Sequence, residues 1–346
     1  GGGETTIWPH AWVLSGESLA LTLNGKKIED YGCSAEYQGN GAITGIGVFC
    51  HEFSHLLGLM DSYDVDYEVN GEGFDLGDWS LMAQGSYNCN ENVPPALTLI
   101  ERQMLGWSTP LELNVTGENI QLPQLDTFNV GYIMRTNDPK EYFLLENRQN
   151  KAGSWDEYIP HHGMLIYHID KRTDANIELS YNNQNRTFTF NDLWELNMVN
   201  AVSSHQCMDV EEADNKYIIN LGYNRSSYVN DAKGDPFPGK NNITTFSDYT
   251  SPSMKTWSGE SLLKSISNIK EKNSTISFDF SNLITFENRK PTIIQASNTH
   301  AKNGAVHSIN DILPVTQPEP DVVIFQTTEF FYLMQGDYYG KYYWRF

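Results

Sequence analysis

One stretch of this 346-residue chain has residue types and spacing that could do chemistry: His51-Glu52-Phe53-Ser54-His55-Leu56-Leu57-Gly58-Leu59-Met60-Asp61. Positions four apart lie on one face of a helix, so His51 and His55 can offer two imidazole nitrogens to a single ion. Glu52, one residue along, can reach a water on that ion without binding the ion itself. Gly58 suits a helix stop in the left-handed conformation and lets the chain turn back, so that Asp61 becomes a third donor. Two neutral imidazoles and one carboxylate with an open position make a zinc set suited to hydrolysis. The ion would acidify its water, and Glu52 would take the proton as general base. Zinc would also stabilise the oxyanion that develops on the attacked carbonyl. The plainer reading, a surface helix with two solvated histidines, conflicts with the flanking Val48, Phe49, Leu56 and Leu57, which imply burial.

The elements that must position these residues can be read around them. Apolar Ile46, Val48, Phe49, Phe53, Leu56 and Leu57 among small residues predict a buried helix from about Ile43 to Leu57. Residues 61–92, rich in Asp, Glu, Asn and Gly, predict an extended surface loop. Within Trp79-Ser80-Leu81-Met82-Ala83-Gln84-Gly85-Ser86-Tyr87, Met82 in a tight turn would give the histidines an apolar floor, and Tyr87 is a candidate oxyanion stabiliser. A second helix is expected from Pro94-Pro95 to Leu105, before Gly106.

Beyond about Leu113 the texture changes to short β-rich segments between turn clusters: Tyr132–Arg135, Tyr142–Glu146, Met164–Ile169, Thr187–Phe190, Tyr217–Asn220 and Thr275–Phe280. This pattern predicts an all-β, sandwich-like domain. Prolines 291, 314, 318 and 320 in a polar stretch suggest a linker over residues 284–320, and the aromatic segment 322–346 reads as a hairpin around Gln335-Gly336-Asp337. The fold class expected is therefore α+β. Residues 1–112 form a zinc-protease region, 113–283 a β-sandwich-like domain, and 284–346 a linker and extension of unknown role.

Lys and Arg number 23 against 44 Asp and Glu, a formal charge of −21, which disfavours nucleic acid and anionic lipid as partners. A carboxylate surplus suits an exported calcium-binding protein and suits plain solubility equally. No apolar run is long enough to span a membrane. Cys33, Cys50, Cys89 and Cys207 form no CxxC pair, and their spacing allows two disulfides or none. His10 reads as structural, the His161-His162 pair as a surface turn with no acidic partner at matching spacing, His168 as a satisfied core or edge histidine, and Glu211-Glu212 with Asp214 as a solvated acidic turn.

The motif His51…His55…Gly58…Asp61 with Met82 resembles the metzincin pattern. Its surroundings, Thr6-Ile7-Trp8-Pro9-His10, Trp79-Ser80-Leu81-Met82, Pro94-Pro95-Ala96 and Leu105-Gly106-Trp107, sharpen the resemblance to the M6 peptidases, the immune inhibitor A-like family. Further similarity lies in Tyr142-Phe143-Leu144-Leu145-Glu146-Asn147-Arg148, in Gly163-Met164-Leu165-Ile166-Tyr167-His168-Ile169-Asp170 and in Asp235-Pro236-Phe237-Pro238, so it covers roughly residues 1–283. The resemblance implies a secreted or cell-surface bacterial zinc metalloendopeptidase made with a prosegment and acting on protein or peptide substrates. It assigns His51, His55 and Asp61 as metal ligands, Glu52 as catalytic base and Met82 as the structural Met-turn. It also brings calcium as a second candidate ion, for which Asp64, Asp66, Asp75 and Asp78 offer hard oxygens. Family members carry an upper part of the catalytic domain before the equivalent of Gly1, so this chain is expected to lack it; if those upper strands are absent, the fragment is inactive although all four site residues are present. Two rival readings are a surface module for carbohydrate or host protein with a vestigial metal site, and a zinc amidase acting on non-protein amides. An intact Glu52 argues against the first, since a binding-only site has no need of a base.

Overall fold

The computed structural model describes residues 7–14, 21–67, 69–71, 73, 75–217 and 225–282, together with four strands further on. The chain divides into two compact units, Gly1–Asn282 and Leu283–Phe346. It is a mixed α and β protein in which sheet predominates.

Short strands β1 (His10–Val13), β2 (Leu21–Leu23), β3 (Lys26–Ile28) and β4 (Asp30–Cys33) open the first unit, with β1 antiparallel to β4 and β2 to β3. Helix α1 (Gly47–Leu56) follows. Its inner side is Gly47, Val48, His51 and Ser54, while Ile46, Phe49, Phe53 and Leu57 are exposed. The fully buried helix expected from the sequence is thus buried on one side only. Small residues occupy that inner side because backbone approaches it closely: a Cβ on Gly47 would sit 1.9 Å from the Ser86 carbonyl oxygen. Phe49 and Phe53 stack on the outer face with ring centroids 6.3 Å apart.

Helix α2 (Leu99–Met104) begins later than its two prolines suggested, because Thr98 is the N-cap. The Thr98 hydroxyl accepts the Glu101 N–H and the Glu101 carboxylate accepts the Thr98 N–H, a capping box that fixes the first turn at Leu99.

Next come β5 (Leu111–Glu112), β6 (Gly117–Leu122), α3 (Leu125–Phe128), β7 (Tyr132–Arg135), β8 (Glu141–Arg148) and β9 (Gly163–Asp170). They are followed by β10 (Asn176–Tyr181), β11 (Gln184–Thr189), α4 (Phe190–Glu195), β12 (Met208–Val210), β13 (Phe246–Ser247), β14 (Lys264–Lys272) and β15 (Thr275–Asn282). One sheet has the order β12-β9-β8-β7-β5 and a second the order β13-β14-β15-β6. Alternation along β8 shows how they pack. Phe143 and Leu145 join Leu122, Ile266, Phe278 and Phe280 between the two sheets, whereas Leu144 joins Trp79, Leu99, Ile100 and Trp194 on the opposite side. The five-stranded sheet is therefore a middle layer, which is why all eight residues of both β8 and β9 are buried.

Several expectations shift. Thr187–Phe190, read as a strand, contains the end of β11, after which Thr189 caps α4 and Phe190 begins it. Of the strand expected at Tyr217–Asn220, residues 218–220 lie outside the described residues. Within the stretch read as a linker, Thr292–Ala296 pairs antiparallel with Ile309–Pro314. In the terminal segment Val322–Gln326 pairs with Phe331–Gln335, so the hairpin turns before Gln335 rather than around it. All four cysteines are free thiols.

Arg148 ties the middle sheet to the site-bearing segment. Its side chain is wholly buried and donates to Asp156 through Nε (2.7 Å) and Nη2 (2.5 Å), to Glu146 Oε1 (3.1 Å), and to the carbonyls of Trp79 and Ala96 (3.1 Å each). Glu146 in turn accepts the Leu99 N–H (2.5 Å) and the Tyr167 hydroxyl (2.7 Å). Removing the cation would leave two buried carboxylates unpaired. Arg148→Met is expected to lower stability by about 3–5 kcal/mol in urea unfolding, and a loss under about 1 kcal/mol would contradict this role.

His168 is the second buried cation. It lies between Glu141 (Nε2, 2.9 Å) and Glu211 (Nδ1, 3.3 Å) and stacks between Phe143 and Trp257. Burial pulls its pKa down, but hydrogen bonds and charge from the two glutamates outweigh this and raise it to about 9. Glu211, read as part of a solvated turn, is therefore a buried counter-ion. A folded pKa above the unfolded one stabilises fully below about pH 6.5, and the contribution fades as pH rises through 9. Urea unfolding from pH 6 to 10 should show a loss of about 3 kcal/mol that His168→Gln lacks. Equal pH slopes in the two proteins would refute the assignment.

Candidate metal centre

The end of α1 sets the site. Gly58 has φ +97°; its N–H bonds to the His55 carbonyl (2.9 Å), and the Leu59 N–H reaches back to the Ser54 carbonyl (3.1 Å). This is a Schellman ending with glycine in the left-handed position, as the sequence led us to expect. It reverses the chain so that Asp61 returns over the helix face that carries the histidines.

Asp61 Oδ1 lies 3.1 Å from His51 Nε2 and 3.3 Å from His55 Nε2, and the two Nε2 atoms are 3.2 Å apart. Donors held about 2.0–2.1 Å from one ion at tetrahedral corners are themselves about 3.3–3.4 Å apart, so this triangle has the size of a zinc coordination face. Tautomers point the same way. His51 Nδ1 is 2.9 Å from the Leu81 carbonyl and His55 Nδ1 is 2.9 Å from the Leu59 carbonyl. Carbonyls only accept, so each Nδ1 carries the proton and each neutral ring turns a lone pair inward from Nε2. Asp61 Oδ1 is buried and makes no hydrogen bond. Three acceptors therefore face one another, an arrangement that a single proton can satisfy only in part and a divalent cation satisfies completely. The residues present fit a zinc ion.

Electrostatics agree with a site built for positive charge. Burial alone would raise the Asp61 pKa, but the neighbouring His51 and His55 rings and the Asn197 amide hold it well below the usual carboxylate range. His55 is pulled down by burial and raised, on balance, chiefly by Asp61. Glu52 is half-buried; burial raises its pKa against the opposing pull of His51 and His55. Its carboxylate belongs to a His51-Glu52-His55 group whose ligand atoms lie within 4.8 Å of one another.

Met82 is fully buried with Leu59 and Leu81, and Cys50 packs against this cluster. Its turn is held by polar contacts. The Ser62 N–H donates to the Met82 carbonyl (2.9 Å), and the Met82 N–H donates to Ser80 Oγ (2.9 Å). Ser80 Oγ also accepts from the Ser62 hydroxyl (2.8 Å) and donates to the buried Glu101 carboxylate, which caps α2. The Leu81 carbonyl of the same turn receives His51 Nδ1, so the turn orients a histidine.

Other expected residues serve differently. Asp64 accepts the N–H groups of Gly73, Asp66 and Tyr67, Asp66 accepts from the Asn70 side chain, and Asp75 accepts the Gly77 N–H. Asp78 is buried, and its backbone carbonyl accepts from Asn88. Among the described residues these four acids form no cluster of three or more whose oxygens could hold one ion. Tyr87 is half-exposed at the end of a short 3-10 turn, Gln84–Tyr87. The His161-His162 pair does have an acidic partner: His162 Nδ1 meets Glu271 at 2.8 Å.

Two residues near the centre escaped the sequence reading. Tyr63 stacks on His51 with ring centroids 6.5 Å apart, and burial and the Asp61 charge push its hydroxyl pKa far up. Asn197 donates from Nδ2 to Asp61 Oδ2 (2.7 Å), and its Oδ1 accepts the Asp61 N–H (2.6 Å). The only sequence signal for Asn197 was its place after the Phe190-Leu193-Trp194 helical pattern.

Comparison with known proteins places this site in a class. Residues 1–104 match the family described as immune inhibitor A peptidase M6, catalytic domain, so the segment that carries the site is similar to that family. The particular relative is immune inhibitor A of Bacillus thuringiensis subsp. alesti, 32% identical over 88 residues. That alignment covers 25% of this chain and 12% of the relative, so the chain matches only a small part of that protein's length. No solved structure matches the chain.

Ser80→Ala would leave the buried Glu101 carboxylate without its hydroxyl donor. A stability loss of about 1–3 kcal/mol is expected by thermal unfolding, and wild-type stability would show that the Ser62-Ser80-Glu101 chain does not hold the turn.

Proposed function

We propose that the chain carries the site of a zinc-dependent endopeptidase, in which His51, His55 and Asp61 hold the ion and Glu52 is the general base. The observation that carries this reading is the triangle of inward-facing acceptors at 3.1–3.3 Å, with a buried Asp61 oxygen that no protein donor reaches. Zinc bound there would supply Lewis acidity toward a water and a scissile carbonyl. Glu52 follows His51 directly on α1, so its side chain leaves the helix about 100° from that residue, and its carboxylate lies within 4.8 Å of the His51 and His55 ligand atoms. From there it takes a proton from the attacking water and returns it to the leaving amine. The Nδ1–H bonds to Leu81 and Leu59 fix both rings, and Met82, buried with Leu59 and Leu81, backs the turn that supplies the Leu81 carbonyl.

The substrate in this reading is an extended polypeptide cleaved internally. The family match supports it, as does the exposed position of α1's outer face next to Glu52. The protein is proposed to act outside the cell and to be made with a prosegment. No helix among the described residues is long and apolar enough to cross a membrane. Residues 1–112 are proposed as the catalytic region and 113–283 as a sandwich-like domain that braces it.

The test pairs metal content with cleavage of an unfolded protein substrate. Wild type should hold about one zinc per chain. Glu52→Gln should keep the zinc and lose at least about 100-fold in cleavage rate. Undiminished cleavage by Glu52→Gln would remove Glu52 from the mechanism, and a wild-type protein without zinc would remove the site.

A further inference from the structure

The structure assigns Asn197 as the positioning residue of this centre: it fixes which oxygen of Asp61 faces the histidines. This deepens the zinc-site reading above and rests on it. Asn197 lies 136 positions beyond Asp61 and well past residue 104, where the family match ends. It grips Asp61 twice, through the backbone N–H (2.6 Å) and through carboxylate Oδ2 (2.7 Å). With Oδ2 held, Oδ1 is left toward His51 and His55 with no hydrogen bond of its own. Rotation of the carboxylate would break the Nδ2–H bond, so one donor converts a freely turning ligand into an oriented one.

The chain reaches this position for a local reason. Helix α4 ends as α1 does: the Met198 N–H returns to the Leu193 carbonyl (2.7 Å), the Asn197 N–H approaches the Trp194 carbonyl (3.5 Å), and Asn197 has φ +57°. Glycine is the usual residue at that left-handed position and asparagine the occasional one. Asparagine costs little backbone strain there and adds an amide that glycine lacks. The surroundings keep it still. Phe190, Leu193, Trp194, Met198 and Val199 are buried in the core of the middle sheet, and the Trp194 indole N–H donates to the Asp170 carbonyl at the end of β9 (2.7 Å). The side chain that orients the third ligand is thus carried by the β-rich part of the chain and not by the segment that holds the motif.

The left-handed backbone makes the inference separable from a merely structural role. Asn197→Gly preserves the helix ending and deletes the amide; Asn197→Ala deletes the same amide and strains the backbone. Zinc affinity of the whole chain is read by competition with a chromophoric chelator, and apo stability by thermal unfolding. Both variants are expected to bind zinc 10–100-fold more weakly, to about the same extent, although the alanine variant, which also strains the backbone, loses more apo stability than the glycine variant. If the glycine variant binds zinc as wild type does, the amide does not position Asp61 and the inference is overturned, whatever the alanine variant does. If wild type binds no zinc, or His51→Ala binds it equally well, the reading of the site itself fails and the inference falls with it.

Discussion

Three electron-rich atoms, Nε2 of His51, Nε2 of His55 and Oδ1 of Asp61, stand 3.1–3.3 Å apart at the edge of a protein core. Each imidazole spends its only N–H on a backbone carbonyl, so nothing in the triangle can be neutralised from within. Bringing such atoms together costs free energy until a cation arrives, and the frame around them has to supply it. Much of the chain can be understood as that frame. Gly58 reverses the chain to deliver Asp61, the Met82 turn offers the Leu81 carbonyl to His51, and Asn197 turns the carboxylate.

The frame draws its rigidity from buried polar chains laid across apolar packing. Arg148 on β8 reaches Trp79 and Ala96 by their carbonyls, and Glu146 on the same strand holds the first turn of α2 through Leu99. Glu101 of that helix then passes the constraint to Ser80 and so to the Met82 turn. On the other side, α4 is pinned to β9 and ends on Asn197. Two routes therefore run from the middle sheet to the His51-His55-Asp61 triangle. The sheet can play this part because it is packed on both faces: Leu144 points toward the site-bearing segment and Phe143 toward the second sheet.

How much of this was legible follows from how local each cause is. The HExxH spacing, the Gly58 stop and the strand at Tyr132–Arg135 are set by neighbours within a few residues, and the structure has them where the pattern put them. The start of α2 was placed too early because two prolines outweighed the Thr98-Glu101 capping pair, which is equally visible in the sequence. Burial of α1 was overstated, since Phe49 and Phe53 are apolar yet lie on the side where Gly47 and Ser54 are absent. Asn197, Tyr63 and the Arg148 network were out of reach in a different way. Their roles depend on tertiary contacts, and a helix-ending asparagine looks the same whether it meets water or a ligand's carboxylate. For the acidic residues after α1 the resemblance brought calcium as a candidate ion, and in the structure Asp64 and Asp75 accept amides of their own loop.

X-ray absorption at the zinc edge on the zinc-loaded chain reads the coordination of the His51-His55-Asp61 triangle. One zinc is expected, with two imidazole nitrogens and a carboxylate oxygen at about 2.0–2.2 Å and no sulfur neighbour. A spectrum showing thiolate at about 2.3 Å, or no stoichiometric zinc at all, would contradict this assignment.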